Sequence, residues 1–375
     1  MPDHEVVIVG AGPVGMLLAC LLTERGRDVL VLERRPAADT RSRAIGIHKP
    51  GLDALDEAGV GDAVRAEALA LDGGEVRSRG RLLASLTFDP ARPILTLAQR
   101  RTDALLRGRL AELAGGALVT GHTVHEVRDE SDRVRLLVAP DDGDEREITA
   151  SVVIAADGVR SGIRERLAID WLSRPKAAGY AMVDVPDPDS GRRAVLYCEP
   201  TGLVESLPLP GSHRRWVIRQ DPDRSGPITA GELRAEIERR TGIRPDIDDH
   251  QVPVSFLAAQ HAAREVVRRR IVLVGDAAHE ISPIGGQGMN LGWSDARVLA
   301  EELCRSPLAR TPDLRRYERA VRVSARRAQR RSAFYMTMGE PASGGPLMAR
   351  EAMIRSLGSP ALRARTSGLL TMQGV

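Results

Sequence analysis

A run of β-branched residues, Glu5-Val6-Val7-Ile8-Val9, leads directly into Gly10-Ala11-Gly12-Pro13-Val14-Gly15 and then into Met16-Leu17-Leu18-Ala19-Cys20-Leu21-Leu22. Unbroken apolar runs of this length suit a strand buried on both faces, followed by a buried helix. Gly26 stands where a helix C-cap falls, and Asp28 to Glu33 forms a second strand. Strand, glycine turn, helix and strand in about thirty residues is the setting that a dinucleotide fingerprint requires. Gly10 permits the tight turn, Gly12 lets backbone approach a pyrophosphate, and Gly15 allows the helix to pack closely on the strand. The helix start offers free N–H groups and partial positive charge to phosphates. Glu33, eighteen residues beyond Gly15, ends the second strand and can accept from a ribose hydroxyl. Its negative charge opposes a 2′-phosphate there. This reads as an ADP-ribose site, for NAD or FAD.

Two further strands end in acids. Ser151 to Ala156 runs into Asp157-Gly158 and on to Arg164; Ile271 to Val274 runs into Gly275-Asp276-Ala277-Ala278-His279. After the second come Pro283-Ile284-Gly285-Gly286-Gln287-Gly288-Met289-Asn290 and a helix expected from Leu291. An acid at a strand end, followed by a glycine-rich helix start, predicts a second polar ligand site: a polyol near Asp276 and a hydrogen-bonding ring near Gly288 to Asn290.

At 375 residues the chain exceeds what one core holds. The expected fold is α/β: a Rossmann-like parallel-sheet domain assembled from 1–70, 98–170 and 262–330, interleaved with an antiparallel-sheet domain from 71–97 and 171–261. Residues 331–375 are expected as terminal helices, and Asp141 to Glu147 as a hairpin tip. Lys+Arg 54 against Asp+Glu 51 leaves no clustered basic footprint, so nucleic acid is not an expected partner. Cys20, Cys198 and Cys304 have no metal or redox spacing, and no metal site is expected. The polar start, Met1 to Glu5, resembles no signal peptide, and no apolar stretch spans a bilayer. The expected location is the cytoplasm.

With these three motifs in this order, the chain resembles the FAD-dependent aromatic hydroxylases, the single-component class A flavoprotein monooxygenases. The resemblance covers most of the chain and rests most heavily on Asp276-Ala277-Ala278-His279 and Pro283 with Gly285-Gly286-Gln287-Gly288-Met289-Asn290. It implies that Gly10, Ala11, Gly12, Pro13 and Gly15 meet the pyrophosphate, and that Glu33, with Arg34 beside it, meets the adenosine ribose. Arg43 is expected near the cofactor phosphates, and Gln99, ahead of a helix from Asp103 to Leu110, on the FAD. Asp157 and Arg164 are expected in the pyrophosphate and reductant region. Gly275 and Asp276 should hold the ribityl chain. Pro283 and Gly286 should line the flavin ring, and the backbone of Gly288, Met289 and Asn290 its N1–O2 edge. The implied reaction is monooxygenation: NAD(P)H reduces the FAD, and one atom of O2 is delivered by hydroxylation or epoxidation to an apolar or aromatic molecule, in secondary metabolism or aromatic catabolism. No acid–base triad is expected, and no catalytic side chain is assigned.

Departures bear on the substrate. His48-Lys49-Pro50-Gly51 stands where polyketide-type relatives have a His-x-Arg run, Ser282 replaces the first proline of a Pro-Pro pair, and the chain ends at Val375, where larger phenol hydroxylases carry a thioredoxin-like domain. Without a second GxGxxG unit, the nicotinamide must bind transiently in a cleft. The rivals are a flavin reductase or dehydrogenase of an apolar substrate, a flavin halogenase, whose WxWxIP segment is missing, and a binding module that merely retains FAD. His279 packs the turn or acts in catalysis; His48 lies near the ring position. Tyr197 is expected in the core, with a substrate contact as the alternative. The late methionines, Met336 to Met372, are expected on helices at the domain seam, or as a pliable wall for a bulky substrate.

Overall fold

The computed structural model describes residues 1–38, 44–140, 143–174, 177–189, 191–221, 226–308, 310–362 and 372. Strand β1 (His4–Val9) lies at the centre of a parallel sheet, with β2 (Val29–Glu33) on one side and Arg146–Ala155 on the other. In register, Val7 faces Leu30 and Val153. Leu118–Thr120 extends the sheet beyond β2, and Ile271–Leu273 extends it beyond Arg146–Ala155, both parallel. Every residue of β2 is buried, as the apolar run requires of a strand covered on both faces. Helix α1 (Pro13–Glu24) crosses one face; it begins at Pro13, whose fixed φ suits the first helical position. The expected hairpin is present, pairing Val134–Val138 with Arg146–Ala150. Part of its tip, 141–142, lies outside the described residues.

The second sheet has seven strands in the order Val254–Ala258, Ala178–Pro186, His213–Arg219, Gly202–Leu209, Arg193–Glu199, Gly73–Ser78, Arg81–Thr87. It is antiparallel except at one joint, where Arg193–Glu199 runs parallel to Gly73–Ser78. Alternation sorts its side chains. Ala181, Val183, Val185, Tyr197, Val204 and Trp216 face the helix Ala230–Thr241, which starts on a reciprocal Thr229–Glu232 capping box. Tyr180, Met182, Cys198, Leu203 and Val217 face the other way and pack with Ile284, Met336 and Ile354. Tyr197, stacked on Trp216, is thus on the face turned away from Ile284, and is a core residue.

Between the sheets, Trp171–Ser173, His261–Ala263 and His279–Glu280 form a small antiparallel sheet. Its first two strands are where the chain leaves the parallel sheet and returns. Two long helices, Arg315–Met338 and Gly344–Leu357, follow, so the expected boundary at 330 falls inside a continuous helix. Of the late methionines, Met336 and Met338 pack on the inner face of the seven-stranded sheet and Met372 is buried, whereas Met348 and Met353 are exposed.

Candidate cofactor and active site

The glycine turn is built by close approaches that only hydrogen permits. Gly10 adopts φ +108°, and a Cβ there would overlap the Ala156 carbonyl; a Cβ on Gly15 would overlap the Gly10 carbonyl. Gly12 differs, because a Cβ there would meet nothing within 4 Å. Gly10 and Gly15 therefore serve the packing, and Gly12 faces open space at the start of α1. That helix has no side-chain cap, so its first N–H groups are left for an anion.

Glu33 is buried at the end of β2. One carboxylate oxygen accepts from the Ala11 N–H at 2.9 Å, and the other from the backbone N–H and Nε of Arg35, both at 3.0 Å. Burial pushes its pKa up, but these bonds outweigh burial and hold it below the usual carboxylate range. A carboxylate has about four lone-pair sites, so capacity for a hydroxyl remains. Arg34 is exposed beside it; Arg35, which the sequence did not single out, is the residue that grips the acid. Arg107 was also missed. From the helix Gln99–Leu113 its Nη2 reaches the Ala11 carbonyl at 3.1 Å, but it is one of several arginines on that helix and spacing does not distinguish it. Gln99 is itself the first residue of this helix, not a residue ahead of it, and its amide donates to Asp103 at 3.4 Å. Arg43 lies outside the described residues.

The other two motifs converge on the same end of the sheet. Val14 fills the space left by Gly275 and Gly292, and Trp293 Nε1 donates to the Pro13 carbonyl at 3.1 Å. The first turn of α1 is thereby pressed against the helix that the sequence placed from Leu291. That helix is Gly288–Arg305, so Gly288, Met289 and Asn290 are its first turn. Their N–H groups precede the first intrahelical bond, Leu291 N–H to Gln287 carbonyl at 3.0 Å, and no side chain caps them. Asp276 is exposed in the short 3-10 turn Gly275–Ala277.

Asn290 uses its whole side chain as a brace. Its Oδ1 accepts from the His48 N–H at 2.8 Å, and its Nδ2 donates to the carbonyls of Gly46 and Gly286 at 3.0 and 2.9 Å. This ties the glycine loop to the segment that carries His48. Pro283 and Gly285 are exposed on that loop, while Ile284 between them is buried. Tyr335 packs so closely on Gly285, at φ +88°, that a Cβ there would lie 2.7 Å from its ring.

Among the described residues, His48 Nδ1, Gln287 Oε1, Asp157 Oδ1 and His279 Nδ1 are buried here without a hydrogen-bond partner. Burial drives His48 down to about 4, so the imidazole is neutral at pH 7. Burial also raises Asp157, which accepts from the Ile163 N–H at 3.2 Å.

His279 and Arg164 turn inward. His279 Nε2 meets Asp295 at 2.5 Å, both buried. Burial opposes its charge, but the carboxylate outweighs burial and raises its pKa. The pair ties the strand end to the helix Gly288–Arg305. Arg164 donates to the Ala277 and Val159 carbonyls at 3.1 and 2.8 Å and stacks 3.7 Å over Trp171. Trp171 stacks in turn on His261, which contacts Glu280 at 2.6 Å. The Arg164 guanidinium thus clasps the Asp157 loop to the Gly275 loop, since a buried cation needs partners for its donors; its expected place beside the pyrophosphate or reductant stays an expectation.

A family described as the FAD binding domain matches residues 3–332. The chain belongs to this FAD-binding family. Among its relatives, a 12-dehydrotetracycline 5-monooxygenase/anhydrotetracycline 6-monooxygenase of Streptomyces rimosus is 32% identical over 319 residues, 80% of this chain and 62% of the relative. A 3-(3-hydroxy-phenyl)propionate/3-hydroxycinnamic acid hydroxylase of Comamonas testosteroni is 30% identical over 334 residues, 86% of this chain and 56% of the relative. The chain thus spans less than two thirds of the length of these curated relatives. The crystal structure of p-nitrophenol 4-monooxygenase PnpA from Pseudomonas putida DLL-E4 superimposes with a TM-score of 0.85, at 25% identity, over 99% of both chains.

The family's cofactor is FAD, and the residues present fit it. The open face at Gly12 and the free N–H groups of α1 suit the pyrophosphate, and the spare capacity of Glu33 suits the ribose. The uncapped start of Gly288–Arg305, with the orphaned Gln287 Oε1 beside it, offers donors and an acceptor to a ring edge that alternates the two. Among the described residues there is no group of His, Cys, Asp and Glu able to hold a metal, and no helix is long and apolar enough to cross a membrane.

Proposed function

We propose that the chain is an FAD-dependent monooxygenase that uses NAD(P)H and O2 to hydroxylate or epoxidise an apolar or aromatic small molecule. The observation that carries this reading is the inner face of the seven-stranded sheet. Its apolar side chains pack with Ile284, from the middle of the glycine loop, and with Met336, so an apolar ligand held under this roof lies against the ring-binding loop. Reduced FAD supplies the oxygen activation and transfer. The protein's part is to hold the ring edge at the start of Gly288–Arg305, where the helix dipole favours negative charge, to orient the substrate, and to keep water out. Pro283 has no N–H to offer water, and its locked φ stiffens the exposed edge of the loop. One dinucleotide-type sheet is described, so the nicotinamide reductant binds transiently. The cytoplasm is the compartment that supplies it, and Cys20, Cys198 and Cys304 are all free thiols there.

The test is NAD(P)H oxidation by the FAD-loaded chain under 18O2, with phenols, aromatic polyketides and polyenes as candidate substrates. Label in the product supports the reading. Substrate turnover that consumes no O2 replaces it with the dehydrogenase reading.

A further inference from the structure

One row of side chains crosses the middle of the seven-stranded sheet on the face turned toward Ile284. The register reads Leu196, Glu205, Val217, Met182, Val254. Four of the five are apolar, and Leu196, Val217 and Met182 belong to the cluster that holds Ile284 and Met336. The fifth is a carboxyl, 7% exposed. Among the described residues the Glu205 carboxyl makes no hydrogen bond and no ion pair. Its one cationic neighbour, Arg215 in the adjacent row, is gripped in a bidentate pair by Asp184, at 2.6 and 2.9 Å.

Such a group is costly. Burying a carboxyl without donors loses hydration that nothing replaces, and leucine would fill the row at no such penalty. Burial lifts Glu205 to about 7, with Arg215 opposing the rise. A polar group that the fold does not use, on the wall of a proposed ligand site, works on the ligand. The row leads at its Val254 end to a hollow of about 170 Å3 that Met182, Asp184, Gln251 and Val252 also line, so it is within reach of solvent.

We propose that Glu205 selects the substrate: its carboxyl accepts a hydroxyl group of an otherwise apolar, uncharged aromatic molecule and rejects a carboxylate at the same place. This rests on the proposed function, since it takes the inner face of the sheet as the substrate wall. A phenolic O–H meeting a carboxylate makes a short, charge-assisted bond; a ligand carboxylate would set two like charges together in a poorly solvated site. The titratable groups around Glu205 are Arg215 on His213–Arg219, Tyr180 on Ala178–Pro186 and Cys198 on Arg193–Glu199. From the terminal helices come Tyr335, and Arg350, which donates to the Cys198 carbonyl at 2.8 Å. Burial holds Tyr180 and Cys198 up at about 12, which leaves Glu205 as the group that changes charge near neutrality.

The experiment is calorimetric binding of 2-naphthol and 2-naphthoate to the FAD-loaded chain and its Glu205→Gln and Glu205→Leu variants, from pH 6 to 8.5. The wild type should bind 2-naphthol at least ten-fold more tightly than 2-naphthoate at pH 8, with 2-naphthol affinity rising as pH passes about 7. Glu205→Gln should flatten that rise and shrink the discrimination several-fold, and Glu205→Leu should weaken 2-naphthol about ten-fold. Equal affinity for both probes, no saturable 2-naphthol binding, or variants that keep the wild-type ratio and pH profile would each overturn the proposal. No turnover is involved. A chain that binds as expected but inserts no oxygen refutes the monooxygenase and keeps the anchor.

Discussion

The N–H of His48 donates to the side-chain oxygen of Asn290 at 2.8 Å, across 242 residues of sequence. That one amide also holds Gly46 and Gly286, so the shape of the proposed ring-binding loop depends on the side chain of a residue in the first turn of Gly288–Arg305. Asn290→Leu should lose three hydrogen bonds at about 1 kcal/mol each and release FAD more readily than it lowers the stability of the FAD-free chain. Melting temperatures with and without excess FAD measure the two losses. Equal losses would show that the brace serves the fold alone.

Gly12 and Gly15 should fail differently. Gly12→Val adds a side chain into open space, so the FAD-free chain should keep its stability to within about 1 kcal/mol while FAD affinity falls at least ten-fold. Gly15→Ala drives a methyl into the Gly10 carbonyl and should destabilise the fold by more than about 3 kcal/mol. Urea unfolding and FAD titration separate the cases. A Gly12→Val chain with unchanged FAD affinity would mean that the pyrophosphate does not lie there.

Arg164→Ala should act on stability before catalysis. It removes two carbonyl bonds and the stack on Trp171, a loss of about 2–4 kcal/mol. In the FAD-loaded variant the KM for NAD(P)H should stay within two-fold or so. A ten-fold rise in that KM at unchanged stability would place Arg164 in the reductant site.

The pH dependence of stability should carry the mark of Glu205. Its folded pKa is raised, from 4.5 to about 7, so the folded chain holds a proton that the unfolded chain has released between these values. Stability contributed by this group is complete below about 4.5, declines as pH rises, and is lost above about 7, amounting to about 3 kcal/mol. Glu205→Gln removes the titration, so its stability relative to wild type should improve from pH 5 to pH 8. Urea unfolding of both proteins across that range checks it; a constant difference would place the carboxyl in a well-solvated site.

What the sequence disclosed, and what it withheld, follows from the range of the interactions. The turn at Gly10 to Gly15 and the acid at Glu33 are local: each follows from a strand, a helix start and a fixed spacing. The three strand-end motifs could be placed on one sheet because parallel strands deliver their ends to the same edge. Glu205 was invisible, because its meaning depends on Leu196, Val217 and Met182 lying beside it, which only strand register determines. Arg164 carried a motif's position, but which way its guanidinium turned was settled by Trp171 and Ala277, on separate stretches of chain. The helix from Gly288 began three residues earlier than periodicity suggested, since a first turn of glycine, methionine and asparagine shows no apolar repeat.

The placement of β1 between Val29–Glu33 and Arg146–Ala155, with Ile271–Leu273 beyond, has a consequence for biosynthesis. The ribosome releases β1 and β2 early, but the strand on the other side of β1 emerges more than a hundred residues later. The loop that completes the proposed ring site, through Asn290, comes after that. Closing contacts over such separations is slow, and an apolar strand exposed on both faces while it waits is a target for self-association. FAD in the culture medium or lysate therefore cannot rescue a nascent chain that stops short of Asn290. A shortage of the cofactor should instead appear as poor yield of full-length chains, which have every strand in place but lack the ligand that would hold them there.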